Sequence, residues 1–161
     1  MTIRTDRLTL LPLEASHAEE MAGVLGDPEL HRFIGGAPLA VTELRARYER
    51  LAAGSPDPDV SWWNWVVRLD AEDCLTGTVQ ATVSGEVVEI AWVVGTPWQR
   101  RGIATEATRA MVEWLGEHAV VRTVIAHIHP ANVASAAVAN GAGLVPTDRW
   151  QDGEIRWEGP A

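Results

Sequence analysis

Glu89-Ile90-Ala91-Trp92-Val93-Val94 leads through Gly95-Thr96-Pro97-Trp98 into Gln99-Arg100-Arg101-Gly102-Ile103-Ala104-Thr105-Glu106-Ala107. The first piece is an apolar, partly β-branched run of strand length, closed by glycine and proline. The last opens a helix, because Ile103, Ala107, Met111 and Leu115 recur at three- and four-residue spacing and line one face. Between them, Gln99 to Ala104 supplies the main-chain N–H groups that the first helical turn leaves without partners. A phosphate or diphosphate suits that position: amides, the positive end of the helix dipole and two arginines converge there. Gly102 and Ala104 serve by being small, since bulk at either place would hold phosphate oxygens off the amides. The same spacing also fits an ordinary helix start in which Gly102 makes a tight turn and the arginines are solvated. Two other phosphate signatures are absent: the chain has no lysine for a G-x-x-x-x-G-K-[ST] loop, and no G-x-G-x-x-G follows a strand.

On the N-terminal side, Trp62 to Leu69, Cys74 to Val83 and Val87 to Val94 read as three strands joined by short polar turns, the lengths of antiparallel hairpins. Before them, Arg7 to Leu13 reads as a first strand. Ser16 three residues ahead of Glu19 reads as a capping box, and Asp27-Pro28 restarts a short helix. Thr42 reads as the cap of a helix carrying Leu44, Tyr48 and Leu51. On the C-terminal side, Val120 to Ile128 is a β-branched strand reached through a helix and so parallel to the strand ending at Val94. Ala131 to Asn140 is a small-residue helix, and Leu144 to Trp150 with Glu154 to Trp157 form a last hairpin whose tryptophans Trp150 and Trp157 lie where a second copy could pair. The order gives an α+β fold with one βαβ crossover, read as a single domain over residues 1–161.

Composition narrows the chemistry. The 161 residues carry 13 basic and 22 acidic side chains, a net charge of −9, and every basic one is arginine. Nucleic-acid binding needs a basic surface and is excluded, whereas an acidic field favours an approaching amine or simply keeps the chain soluble. Trp98 to Arg109 runs against this trend, with three arginines to one glutamate. The single Cys74 excludes an internal disulfide and a cysteine-rich zinc module, and reads as a small buried hydrophobe. His127 and His129 have no evident third ligand, so no metal is expected; His31 and Tyr48 read as structural. No apolar run is long enough to span a bilayer and no signal-peptide segment opens the chain, so a cytoplasmic protein is expected.

Three stretches together resemble the GNAT superfamily of acetyl-coenzyme-A-dependent N-acetyltransferases, in the branch similar to ribosomal-protein N-terminal (Rim-type) acetyltransferases. They are Ile3 to Leu10 with Asp27-Pro28-Glu29-Leu30; Glu89 to Val94 with Gln99 to Ala107; and His129-Pro130-Ala131-Asn132 with Ser135 and Gly143-Leu144. The resemblance implies a central mixed, mostly antiparallel sheet, flanked by helices, whose fourth and fifth strands, ending near Val94 and Ile128, splay to admit a pantetheine arm. It implies acetyl-CoA as acetyl donor and no metal, with Trp92, Val93 and Val94 flanking pantetheine and acetyl group. Gln99, Arg100, Arg101, Gly102, Ile103, Ala104 and Thr105 would hold the diphosphate, and Asn132, which also reads as a helix N-cap, and Ser135 would contact the arm or sulfur.

The implied reaction is direct attack by a neutral primary amine, of a protein N-terminus or a small molecule, on the thioester. Glu89 is the candidate base, with Glu86 less well placed, and the Val94 N–H faces the developing oxyanion. Many GNAT enzymes place a tyrosine seven residues after the motif asparagine to protonate the thiolate; here that residue is Ala139, which leaves Ser135 as the nearest donor. Phe33, Ile34, Trp62 and Trp63 would border the acceptor or pack in the core. The alternative is a noncatalytic acyl-CoA-binding module, and the chain would act as monomer or homodimer.

Overall fold

The computed structural model describes residues 1–161. A two-residue strand β1 (Ile3–Arg4) pairs with β2 (Leu8–Pro12), which the chain leaves through a 3-10 turn into α1 (Ala18–Val24). A second 3-10 turn at Pro28–Leu30 runs into the short α2 (His31–Ile34), and α3 (Val41–Ala53) follows. Three long strands then meander as antiparallel neighbours: β3 (Val60–Leu69), β4 (Cys74–Ser84) and β5 (Val87–Val94). Helix α4 (Ile103–His118) crosses to β6 (Thr123–Ile128), and α5 (Val133–Gly141) leads to the hairpin β7 (Val145–Gln151) and β8 (Glu154–Pro160). All eight strands join one sheet in the order β1-β2-β3-β4-β5-β6-β8-β7, antiparallel except for β5 and β6. The extra strand at Ile3 shifts the count by one, so the pair expected to splay is β5 and β6.

Strand alternation sends side chains to two separate cores. Leu8, Leu10, Trp65, Val79, Ile90 and Val124 meet Ile103, Ala107, Met111 and Leu115 of α4, the face read from sequence, in the larger one. Leu13, Val66 and Leu75 meet Ala18, Met21 and Val24 of α1 and Leu44 and Tyr48 of α3 in the smaller one, on the opposite face. Burying each large aliphatic side chain is worth about 1.5–3 kcal/mol, so α4 is held against the sheet far more firmly than its propensity alone would require. A register shift at Val67 and Arg68 leaves Thr76 as an extra residue on β4, its hydroxyl donating to the Val67 carbonyl at 3.1 Å. The bulge sets Gly77 directly against β5.

Local details differ from expectation where an unusual group competes. The first helical region is boxed by Glu14 and His17, with the Glu14 N–H donating to His17 Nδ1 at 2.9 Å, instead of by Ser16 and Glu19. The chain turns helical one 3-10 turn earlier, and Ser16 instead bonds the Glu14 carboxylate. Helix α3 starts at Val41 on an Ala40 cap without a side-chain bond, so Thr42 lies inside its first turn. Strand β6 begins at Thr123, because Val120 to Arg122 span the distance from α4, and the N–H groups of Arg122 and Thr123 both donate to the Glu86 carbonyl. In the last hairpin only β7 is an edge: Trp150 is exposed there, while Trp157 on β8 packs against the larger core. No helix is long and apolar enough to cross a membrane.

Candidate active site

Strands β5 and β6 pair only at Val87 with Thr123, Val88 with Val124 and Glu89 with Ile125. Beyond Glu89 they part, and β5 continues against β4 alone as far as Val94. The Gly95 N–H donates to the Thr76 carbonyl at 2.8 Å, which fixes the phase of that ladder. Ala91 and Val93 therefore turn their main-chain groups to β4, and Trp92 and Val94 turn theirs into the gap. The Val94 carbonyl accepts from Gln99 Nε2 at 3.0 Å. What remains facing the gap is the N–H of Val94 and both main-chain groups of Trp92, a set that an extended, amide-bearing chain could pair with as an added strand would.

The gap opens onto the start of α4. Arg100 and Gly102 both have positive φ, 63° and 75°, and Gly102 caps the helix without a side-chain bond. The first intrahelical bond runs from the Glu106 N–H to the Gly102 carbonyl at 3.1 Å, so the amides of Ile103, Ala104 and Thr105 stay free. Ile103 anchors the turn, being 1% exposed in the core. The two arginines diverge: Arg101 pairs with Glu72 at 2.6 Å, while Arg100 is exposed and makes no ion pair. The positive groups that the loop leaves free are its amides and Arg100.

Arg7, which the sequence reading used only to mark a strand, is the buttress of this loop. Its guanidinium donates to the Arg101 carbonyl and to Glu106, each at 2.8 Å, and Thr5 Oγ1 donates to the same carboxylate. Burial alone would raise the Glu106 carboxyl, but the hydrogen bonds from Thr5 and Arg7 outweigh it and hold the group below its ordinary value. A carboxylate in the first turn would oppose an incoming phosphate; here its charge is already engaged.

On the far side of the gap, Asn132 caps α5 by accepting from the Ser135 N–H at 3.1 Å. Ser135 is half-buried, and its hydroxyl makes no hydrogen bond within the chain. Gly141 admits Thr105 against α5, where a Cβ would stand 2.8 Å from the Thr105 methyl carbon. Ala139 is fully buried in the larger core.

Glu89 lies where the strands begin to part, half-exposed, with Oε1 2.7 Å from His127 Nδ1 on β6. His127 is nearly enclosed, and from sequence it is weighed only as a metal ligand beside His129. No three His, Cys, Asp or Glu side chains converge to form a metal site. Burial, with Glu72 and Glu20 nearby, pushes the Cys74 thiol up, away from nucleophilic character.

Alternation puts Asn64, Thr78, Gln80, Glu89, Ala91 and Val93 on the same sheet face as α1 to α3. A cavity of about 370 Å³ lies there, walled by Trp92 and Val93 at its inner end and by α1, α2 and α3 opposite. Its roof is tied to the end of β5, since Thr96 Oγ1 donates to Asp27 at 2.7 Å; that bond and the Glu29 amide hold the Asp27 carboxyl below its usual range. Ile34 lines the cavity. Phe33 reaches across to the His129 ring, with centroids 5.2 Å apart, at the end of β6. Trp62 shares this face farther out, beside Thr82. Trp63 points to the other face, where its ring packs on Trp65 and Trp114, so it does not border the cavity.

Comparison with known proteins accords with this geometry. A family model described as an acetyltransferase (GNAT) domain matches residues 7–145. The chain belongs to the GNAT acetyltransferase family. Among solved structures, a GNAT-family acetyltransferase from Bacillus anthracis superposes with a TM-score of 0.82 at 20% identity, covering 98% of this chain and 97% of that one. RimL, a ribosomal L7/L12 α-N-protein acetyltransferase in complex with coenzyme A, gives 0.82 at 14% identity over 98% and 97%. AAC(6')-Ib, in complex with paromomycin and acetyl-CoA, gives 0.79 at 18% identity over 96% and 94%. A search of curated protein sequences finds no match.

Proposed function

We propose that this protein is an N-acetyltransferase that moves the acetyl group of acetyl-CoA, a substrate of the reaction, to a primary amine by direct attack. The observation that carries the reading is the parting of β5 and β6 beyond Glu89, beside both the free amides of α4 and the cavity walled by Trp92 and Val93. The residues suit a pantetheine diphosphate: the main-chain groups of Trp92 match an extended amide arm, the Val94 N–H is left for the thioester carbonyl, and Gly102 leaves the Ile103 to Thr105 amides uncovered. Gln99 and Arg101 support the loop through the Val94 carbonyl and Glu72, and Arg100 supplies the free positive charge. The domain taken to do this spans residues 1–161, and it would work in the cytoplasm as a monomer or homodimer.

An alkyl amine is mostly protonated near neutral pH, so a proton must leave before attack. Glu89 takes it, directly or through a water, and His127 orients the carboxylate through its Nδ1–H. The amine nitrogen then bonds to the acetyl carbonyl carbon. The Val94 N–H, fixed in direction by the ladder to β4, donates to the oxygen as negative charge builds there. The carbon–sulfur bond breaks, Ser135, whose hydroxyl has no partner within the chain, donates a hydrogen bond to the departing thiolate, and the proton that the newly acylated nitrogen must still lose passes to the sulfur. A thiol of pKa near 8.5 leaves readily, so hydrogen bonding without proton transfer from Ser135 is enough, and Ala139 needs no replacement for the missing phenol.

Calorimetric titration with acetyl-CoA, followed by thiol release with a panel of amines, tests the reading. Binding with amine-stimulated release supports it. Binding without release for any amine favours an acyl-CoA-binding module, and no binding removes both.

A further inference from the structure

We propose that the acceptor is a primary amine on an apolar body that also carries an anionic group, a carboxylate in the simplest case, with Arg47 as the counter-ion. The inference deepens the N-acetyltransferase reading and rests on it. Thirteen of the twenty residues lining the cavity are hydrophobic, and none is Asp or Glu, although the chain holds 22 acidic residues. A polycation could set one charge at Glu89 where the strands part, but its other charges would shed water against a lining without a single acidic group, which is costly in an apolar enclosure. The acidic bulk of the protein therefore says nothing about its acceptor; the cavity has the opposite character.

Two lining residues can carry positive charge. Both ring nitrogens of His31 stand 3.3 Å from carbonyl oxygens, Nδ1 from Gly35 and Nε2 from Leu25, so His31 is spent on holding the loop after α2 to the end of α1. Arg47, on α3, lines the cavity, is exposed, and makes no ion pair and no side-chain hydrogen bond. Its charge is felt at the neighbouring Tyr48 hydroxyl, which burial raises to about 12 and Arg47 opposes. An unpaired guanidinium beside an apolar cavity is the fork that a carboxylate or phosphate fits in two-point fashion. Asn64, Thr78 and Gln80 on the sheet side supply neutral hydrogen-bonding groups near the inner wall, where the amine must stand to meet the thioester.

The test measures thiol release by the full chain at saturating acetyl-CoA. Phenylalanine and ε-aminocaproate are each compared with their amides, alongside an aminoalkyl phosphate and spermidine. The free acids are expected to exceed their amides in kcat/KM by about tenfold to a hundredfold, the range of a charge-assisted hydrogen bond. The phosphate shows whether any anion is accepted or carboxylates alone. Arg47→Gln should erase the preference by raising KM, leaving kcat and acetyl-CoA affinity as they are; Arg47 is exposed, so the variant folds. Amides equal to acids, spermidine as the best acceptor, or an intact preference in Arg47→Gln would overturn the proposal while leaving N-acetylation standing. Acetyl-CoA binding with no release for any amine removes the N-acetyltransferase reading and the proposal together.

Discussion

Replacing Gly77 by alanine puts a methyl group where the main chain of β5 already lies. A Cβ at that position overlaps the Val93 carbonyl oxygen and stands 3.0 Å from Val94 Cα and 3.1 Å from the Val93 carbonyl carbon. These are backbone atoms, so no side chain can swing aside. Carbon and oxygen settle at about 3.3 Å or more, and relief needs β5 to shift by about 1 Å. Overpacking of this kind costs about 1–3 kcal/mol. For a chain of this length each kcal/mol is worth about 2–4 °C, so the melting temperature should fall by about 2–12 °C. The same shift moves the Val94 N–H, and a misplacement of about 1 Å is worth about a hundredfold in rate. Thermal unfolding and thiol release, run side by side, read both effects. Gly23→Ala is the control: nothing lies within 4 Å of its Cβ, and alanine inside a helix is favoured by about 0.5–1 kcal/mol. A Gly77→Ala protein melting within a degree of wild type, with unchanged kinetics, would refute the reasoning.

Glu89→Gln should lower kcat by about a hundredfold or more, the usual worth of a general base, with acetyl-CoA affinity unchanged in calorimetry; unaltered turnover removes Glu89 from the mechanism. Gly102→Val forces a β-branched residue to a φ of 75° and crowds the amides behind it, so acetyl-CoA KM should rise well before acceptor KM does. Arg7→Ala should lower the melting temperature at neutral pH. Because the Glu106 carboxyl is held below its ordinary value of 4.5, its stabilisation is full above that value and lost as pH falls through the depressed one. The gap between the melting curves of wild type and Arg7→Ala should therefore close in acid; a constant gap would show that Arg7 acts through packing alone.

Patterned segments were legible from sequence, and cross-chain pairings were not. Val87 to Val94 was read to its ends because hairpin chemistry bounds one side and Gly95 with Pro97 the other. The α4 face was read because Ile103, Ala107, Met111 and Leu115 obey a single period. For Trp62-Trp63 the resemblance implies residues that border the acceptor or pack in the core, and alternation sorts the pair: adjacent strand residues face opposite ways, so Trp63 takes the core. The Glu14 and His17 box escaped notice because an imidazole nitrogen does the work expected of a carboxylate. Glu89 and His127 are 38 residues apart and meet only through the β5 to β6 register, which no local spacing encodes. Arg7 falls inside the opening stretch of the resemblance without a role of its own there, and Arg47 belongs to no motif; each matters through what it lacks or finds in space.

The parting of β5 and β6 also divides the sheet into a five-strand leaf and a three-strand leaf, stitched along a spine of three residue pairs. A thioester arm lying between them would supply hydrogen bonds that the polypeptide omits from its own seam. Its binding energy then adds to folding energy, growing with the logarithm of ligand concentration. On the proposed reading the resting protein is an unfinished sheet, and its toughness in a cell would follow the supply of acetyl-CoA.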